Sequence, residues 1–365
     1  MTTMTPSPMI LITGADVWDG ISDSVLPRQV LVVEHRIQAI GDAIEAPTDA
    51  QVVDLPGHTL TPGFIDCHTH VAVTPPLSPA LAADSSTAKA LKSLPVLRDL
   101  LMNGFTTVRD LGCGDLDYPT IDLRDAVAAG IVDGPRLLVA PHMISARGGH
   151  GDFSGLLADQ YQGPSRRLEL AAADGCDEIR TRVRQEIRAG ADWIKFAATG
   201  GFASPSDDPG HATYSQQEMD ALVATAADLA VPATPHSYGD EGIRRAVRAG
   251  VRSIEHGNLA SAETLRMMED AGVFLVPTQY AILSSTRRAD DDPFWAAVPE
   301  HARRKFEKYR GALLDAAERL AASNVRVAFG TDAGMFPHHE NWREFPMMVA
   351  TGITPLRALR AATSV

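Results

Sequence analysis

The sequence predicts an α/β protein: a closed (β/α)8 barrel preceded by a small β layer. Two observations carry this. From Leu60 onward, eight apolar, β-rich runs alternate with stretches of helical periodicity. Before that point the runs are short and punctuated by turn residues. A doubly wound open sheet is the rival, but no Gly-x-Gly-x-x-Gly follows a first strand.

In chain order, the β layer is read at Met9–Thr13, Gln29–Glu34, Arg36–Ile40 and Gln51–Asp54. Asp19-Gly20, Gly41-Asp42 and Pro47-Thr48 supply its turns. The barrel strands are read at Leu60–Asp66, Thr106–Leu111, Arg136–Pro141, Trp193–Ala197, Val231–Pro235, Arg252–Glu255, Val273–Pro277 and Arg326–Gly330. Helical period lies between most of them, at Ser86–Met102, Asp177–Ala189, Ser215–Leu229, Gly242–Ala249, Ala262–Ala271 and Pro299–Ala322. Gly104, Gly130, Gly190, Gly250 and Gly272 stand where helices should end. The domain division expected is therefore 1–59 for the β layer and 60–365 for the barrel.

Composition narrows the function. The formal net charge of −13 argues against nucleic acid as a partner, since phosphate binding needs a basic face. No apolar run is long enough to span a membrane, and the first residues carry no basic signal-type region. Three cysteines without a CxxC fit a reducing cytoplasm. A homo-oligomer is the default expectation for a soluble enzyme.

Catalytic groups of such barrels sit at the carboxyl ends of the strands. The stretch Thr61-Pro-Gly-Phe-Ile-Asp-Cys-His-Thr-His70 ends in two histidines one residue apart. Alternation along a strand puts His68 and His70 on one side, as a divalent metal such as zinc requires. Strands five and six end in His236 and His256, and strand eight runs into Asp332. Each alone could be a satisfied core group, a turn residue or a helix cap. Together they all fall at the same end of separate strands. Lys195 lies between Ile194 and Phe196, where a charged amine is costly. Carboxylation by carbon dioxide would turn it into a carbamate whose two oxygens can bridge two metals; otherwise it snorkels to the barrel end.

These stretches, with Gly104-Phe-Thr-Thr-Val-Arg-Asp110, Gly148-Gly-His-Gly-Asp152, Thr199-Gly-Gly201, His236-Ser-Tyr238, Ser253-Ile-Glu-His-Gly257, Val276-Pro-Thr278 and Gly330-Thr-Asp-Ala-Gly334, resemble the amidohydrolase superfamily. The branch is that of imidazolonepropionase-like and prolidase-like metal-dependent hydrolases, the latter of Xaa-Pro or Xaa-Arg dipeptidase type. The resemblance implies a TIM barrel with a small β-sandwich-like domain built on the N-terminal strands. It also implies a binuclear, usually zinc, centre. His68, His70 and Asp332 would hold one metal, His236 and His256 the other, with carboxylated Lys195 bridging. A metal-bridged hydroxide would attack an amide, and Asp332 would shuttle the proton to the leaving amine.

The resemblance further implies release of a carboxyl-terminal amino acid from a dipeptide or N-acyl amino acid, ochratoxin-like amides included. Tyr238 would support the oxyanion and Arg244 would grip the substrate carboxylate. His150 would hydrogen-bond substrate. The alternatives are a cyclic amidohydrolase of imidazolonepropionase type and an inactive scaffold on the same fold. Loop Gly200–Tyr214 has the composition of a mobile lid, Asp110 that of a partner to a ligand, and His338 and His339 follow strand eight. Family members usually continue with strands that complete the β layer, and these are expected to be missing here.

Overall fold

The computed structural model describes residues 9–75, 84–152, 154, 171–287, 295–296 and 298–365. The chain divides into two compact units, Met1–Gly63 with Ser364, and Phe64–Thr363 with Val365.

The first unit is all β. Strand β1 (Met9–Thr13) pairs antiparallel with β4 (Gln29–Val33) and parallel with β6 (Gln51–Asp54), and β5 (Arg36–Gly41) closes the far edge. A second, three-stranded sheet has the order β3 (Leu26–Pro27), β2 (Asp16–Val17), β7 (Thr59–Leu60). In the four-stranded sheet Leu11, Val30 and Leu31 are buried, whereas Ile37 and Val52 on the outer strands stay exposed. Gly14 has φ +74° and a Cβ there would meet Asp54 Oδ1 at 2.4 Å, so only glycine fits.

The second unit alternates strands with helices, and every strand pair is parallel. One sheet has the order β10 (Arg136–Val139), β9 (Phe105–Asp110), β8 (Phe64–Thr69). The other runs β11 (Met143–Ile144), β12 (Ile194–Ala197), β13 (Ala233–Ser237), β14 (Ser253–His256), β15 (Phe274–Val276), β16 (Arg326–Val327). Backbone bonds cross both gaps between them. Asp192 N–H donates to Val139 O at 2.8 Å; Cys67 N–H donates to Phe329 O and His70 N–H to Ala333 O, each at 2.8 Å.

Between the strands lie α1 (Ser86–Met102), α2 (Pro119–Ala128), α3 (Gly175–Ala189), α4 (Gln216–Asp228), α5 (Asp240–Ala249), α6 (Ala262–Ala271) and α7 (Gln279–Arg287). A longer helix, Glu300–Ala322, and two short ones, Glu344–Ala350 and Pro355–Ala361, follow. Their ends are where the residues demand. Ser215 and Glu218 form a reciprocal cap at the start of α4, and Gly190, Gly250 and Gly272 close α3, α5 and α6 in the left-handed conformation. Phe105 and Phe329 are fully buried, with the Phe345 ring tilted against Phe329 at 4.2 Å. Each such ring contributes on the order of 1.5–3 kcal/mol through burial.

The run read as one strand at Leu60–Asp66 is two strands, because Pro62 removes a donor and interrupts the ladder. The second of them extends to Thr69 and so carries the histidine pair further than expected. The last strand is shorter than read and ends at Val327; beyond it Phe329, Thr331 and Asp332 are held by individual backbone bonds to Cys67, His68 and Ala361.

Candidate metal centre

Three strand ends leave the ordinary backbone regions. His256 has φ +72°, Thr278 +43° and Asp332 +63°, all without glycine. Such conformations persist only where the surroundings over-determine them, and they gather at functional sites. Asp332 is pinned by its N–H bond to His68 O at 2.7 Å.

His68 and His70 do share one side of the strand. Their Nε2 atoms lie 3.3 and 3.1 Å from Asp332 Oδ1, and one ligand atom from each of the three residues falls within 4.8 Å of the others. Each ring is oriented from behind: His68 Nδ1 meets Glu255 Oε2 at 2.8 Å and His70 Nδ1 meets Gly112 O at 2.8 Å. Both acceptors fix a hydrogen on Nδ1 and turn Nε2 toward Asp332. Burial would raise the Asp332 carboxyl, but the imidazoles of His68 and His70 hold it well below the usual carboxylate range. His70 moves the other way; burial opposes its charge and Asp332 favours it more.

Glu255 is the keystone behind His68. It accepts from Arg109 Nη2 at 2.6 Å, Thr234 Oγ1 at 2.6 Å and Ser253 Oγ at 3.0 Å. Although fully buried, it is held far below its ordinary value by Arg109 and His68. Sequence reasoning passed over it because strand alternation puts Glu255 and His256 on opposite sides. The positive φ of His256 breaks that alternation, so both side chains reach His68, His256 by a ring contact of 4.9 Å.

The remaining imidazoles form a chain of rings. His256 lies 4.6 Å from His236, and His236 stacks on His150 at 4.1 Å. His256 Nδ1 bonds Thr278 Oγ1 at 2.7 Å, while His236 uses Nε2, 3.3 Å from Gly200 O. Burial pushes both His236 and His256 well below the ordinary imidazole value, so both are in the neutral form that can donate a lone pair to a metal. Tyr238 is buried and stacks on His256 at 4.8 Å; burial and the charge of Asp332 keep its hydroxyl protonated.

Lys195 is 2% exposed, and its Nζ has no hydrogen-bond partner among the described residues. Burial drives its amine down to about 8, against the opposing charges of Glu255 and Asp332. An orphaned buried amine beside neutral imidazoles and an ionised carboxylate is a donor set that fits divalent metal.

His150 joins this group through its stacking on His236 and through Nδ1, 2.8 Å from Ser204 Oγ. Arg244 does not join it. Its guanidinium bonds Thr264 Oγ1 at 2.8 Å and Glu263 at 3.1 Å, with Asp240 at 3.8 Å. Those bonds tie α5 to the start of α6. Asp110 accepts from Val71 N–H at 2.8 Å rather than from a ligand ring. Among the described residues His338 bonds the backbone, its Nε2 3.1 Å from His70 O. Loop Gly200–Tyr214 is anchored by the Glu300–Ala322 helix, because Lys305 bonds Gly201 O and Ser204 O, each at 2.6 Å, and Lys308 bonds Asp208 at 2.7 Å. Its composition suggested a lid; its long-range partners could not be read from its own residues.

Residues 59–365 match the family model described as the amidohydrolase family. Ochratoxinase of Aspergillus niger is 30% identical over 325 residues, covering 84% of this chain. The chain spans only 64% of that enzyme's length. Among solved structures, a Xaa-Pro dipeptidase with methionine bound in its active site aligns with a TM-score of 0.87 and 32% identity, covering 97% of this chain and 87% of that one. A prolidase complexed with N-methylphosphonate-L-proline aligns with a TM-score of 0.85 and 33% identity, covering 98% and 86%. No helix among the described residues is long and apolar enough to cross a membrane.

Proposed function

The chain belongs to the amidohydrolase family, and from that premise we propose that it is a metal-dependent hydrolase of amide bonds. Its substrate is a dipeptide or N-acyl amino acid, ochratoxin-like amides included, and its product a free carboxyl-terminal amino acid. The observation that carries this reading is the convergence of His68, His70 and Asp332 within 4.8 Å, beside a buried lysine with no partner. The bonds across both gaps between the parallel sheets support a closed (β/α)8 barrel, whose strand ends would assemble such a centre.

His68, His70 and Asp332 would hold one divalent ion and His236 and His256 a second. Lys195, once its amine has condensed with carbon dioxide, would present an oxygen to each. Zinc suits the imidazole and carboxylate donors. When bound, the ions supply a Lewis acid for the amide carbonyl and a nucleophile at neutral pH.

The protein's own side chains do the rest. Asp332, ionised in the resting site, accepts the proton of the attacking water and returns it to the leaving nitrogen. Tyr238 keeps its hydroxyl hydrogen and donates it to the developing oxyanion. His150 meets the substrate from beside His236. Glu255 and Thr278 hold the rings of His68 and His256 in one orientation each.

The test is release of free amino acid from a panel of dipeptides and N-acyl amino acids, with protein produced in zinc and bicarbonate and Asp332→Asn run in parallel. Turnover lost in the variant supports the reading. Metal-replete protein that leaves every member of the panel intact would overturn it.

A further inference from the structure

We propose that Phe202 is a positioning residue for Tyr238: its ring, backed by Phe306, holds the phenol so that the hydroxyl meets the developing oxyanion. This deepens the reading above and rests on it for the part played by Tyr238.

The backbone of Tyr238 is fixed. Its N–H donates to Thr199 Oγ1 at 3.0 Å and its carbonyl accepts Leu259 N–H at 3.2 Å. The hydroxyl has no hydrogen-bond partner among the described residues. The aim of the O–H bond is therefore left to the packing of the ring. Three rings surround it. His256 covers one face at 4.8 Å, 16° from parallel, and His236 meets it at 4.9 Å and 85°. Both are proposed ligands, whose own orientation a metal would set. The third ring, Phe202, stands edge-to-face with the phenol at 5.0 Å and 88°, an arrangement aromatic pairs prefer. Phe202 and Tyr238 are both buried, so in a close-packed interior the phenol turns only if Phe202 gives way.

Phe202 is held in turn by one helix, Glu300–Ala322. Phe306 stacks on it at 4.5 Å and 24°, Tyr309 meets it at 6.1 Å and 83°, and Trp295 lies against Phe306 at 5.6 Å. The loop on either side of Phe202 is tied to the same helix. Lys305 Nζ bonds Gly201 O and Ser204 O at 2.6 Å each and Asp207 Oδ1 at 3.2 Å, while His301 Nε2 lies 2.9 Å from Ala203 O. Lys305 and Phe306 are adjacent, so a single turn of helix grips the backbone around Phe202 and its ring together. A Cβ on Gly200 would lie 2.5 Å from Asp208 O, so glycine lets the loop double back tightly enough to deliver that ring.

The decisive measurement needs no substrate. The flip rate of the Tyr238 ring is read by 13C relaxation in zinc-loaded protein carrying ring-labelled tyrosine, with its signals assigned through Tyr238→Phe. Phe202→Leu, which keeps an apolar side chain and removes the ring, should raise that rate roughly tenfold or more. Phe306→Leu should raise it less, and it stands in if Phe202→Leu does not fold. A rate that these changes leave unmoved would overturn the proposal. The catalytic arm is a double-mutant cycle on a dipeptide that is turned over. Phe202→Leu should lower kcat roughly ten- to a hundredfold with KM within about twofold. In the Tyr238→Phe background the same change should cost less than about twofold, because the hydroxyl it positions is gone. Equal losses in both backgrounds would mark Phe202 as core filling and count against the proposal. A Tyr238→Phe enzyme with undiminished kcat would remove both the proposal and the oxyanion role given to Tyr238. If no amide is turned over, the reading above falls, while the flip rate still decides whether Phe202 holds the ring.

Discussion

The two halves of the imidazole cluster are held in different ways. His68, His70 and Asp332 are backed by a buried charge and a backbone carbonyl, with Glu255 ionised against Arg109. His236, His256 and His150 are backed by the Thr278 and Ser204 hydroxyls and the Gly200 carbonyl, and include no carboxylate of their own. The first half is pre-charged and its ligand atoms already converge. The second is a set of neutral rings whose convergence depends on packing. Lys195, whose amine burial lowers to about 8 and which has no hydrogen bond among the described residues, belongs to neither half. A chelator should therefore strip the second half first. Metal analysis during dialysis should show two separate losses, and simultaneous loss would break the distinction.

Further predictions follow the same division from the largest effect to the smallest. Asp332→Asn, which keeps shape and removes the charge, should lower kcat by roughly 10²–10⁴-fold, measured as amino acid release. Glu255→Gln removes the charge that pairs buried Arg109, a change of about 3–5 kcal/mol by denaturant titration. It should also weaken metal affinity in the first half by roughly 10–100-fold.

Glu344 tests the second half from a distance. Its carboxylate receives Gln279 N–H at 2.8 Å and Tyr280 N–H at 2.6 Å, at the start of α7 and next to Thr278. Burial pushes it up to about 8, with Asp66 and Asp332 adding to the effect of burial against those two donors. A folded pKa above the unfolded one gives stability that is full below about 4.5 and is lost as pH rises toward 8. The metal-free protein should thus lose a few kcal/mol relative to Glu344→Gln across that window. A flat difference would show the carboxylate is already ionised on the helix end.

Arg244→Ala should be the mildest. If the residue only ties α5 to α6, stability falls by less than about 1 kcal/mol and KM stays put. A large rise in KM with kcat kept would return it to the substrate's carboxylate.

The ligand candidates were legible because strand ends can be read from apolar runs, and His68, His70, His236, His256, Lys195 and Asp332 each stand on or just past one. What supports them was not. Glu255 hid behind an alternation that His256 breaks, and Thr278 meets His256 across 22 residues. Ser204 and Asp207 find Lys305 about a hundred positions away, at 101 and 98 residues. Arg244 is the reverse case: its spacing after Tyr238 was readable, but the hydroxyl and carboxylate that its guanidinium bonds on α6 were not. The parallel order of strands was readable for the same reason as the ligands, apart from the break at Pro62.

The left-handed backbone at His256, Thr278 and Asp332 bears on any effort to make the chain more heat-resistant. Each such residue holds back about 1–3 kcal/mol, an obvious reserve for a library screened on melting temperature alone. Thr278→Gly would be among the first winners, and it would set the His256 ring free to rotate. Selection for robustness and selection for turnover should therefore part company at these three positions before anywhere else in the molecule.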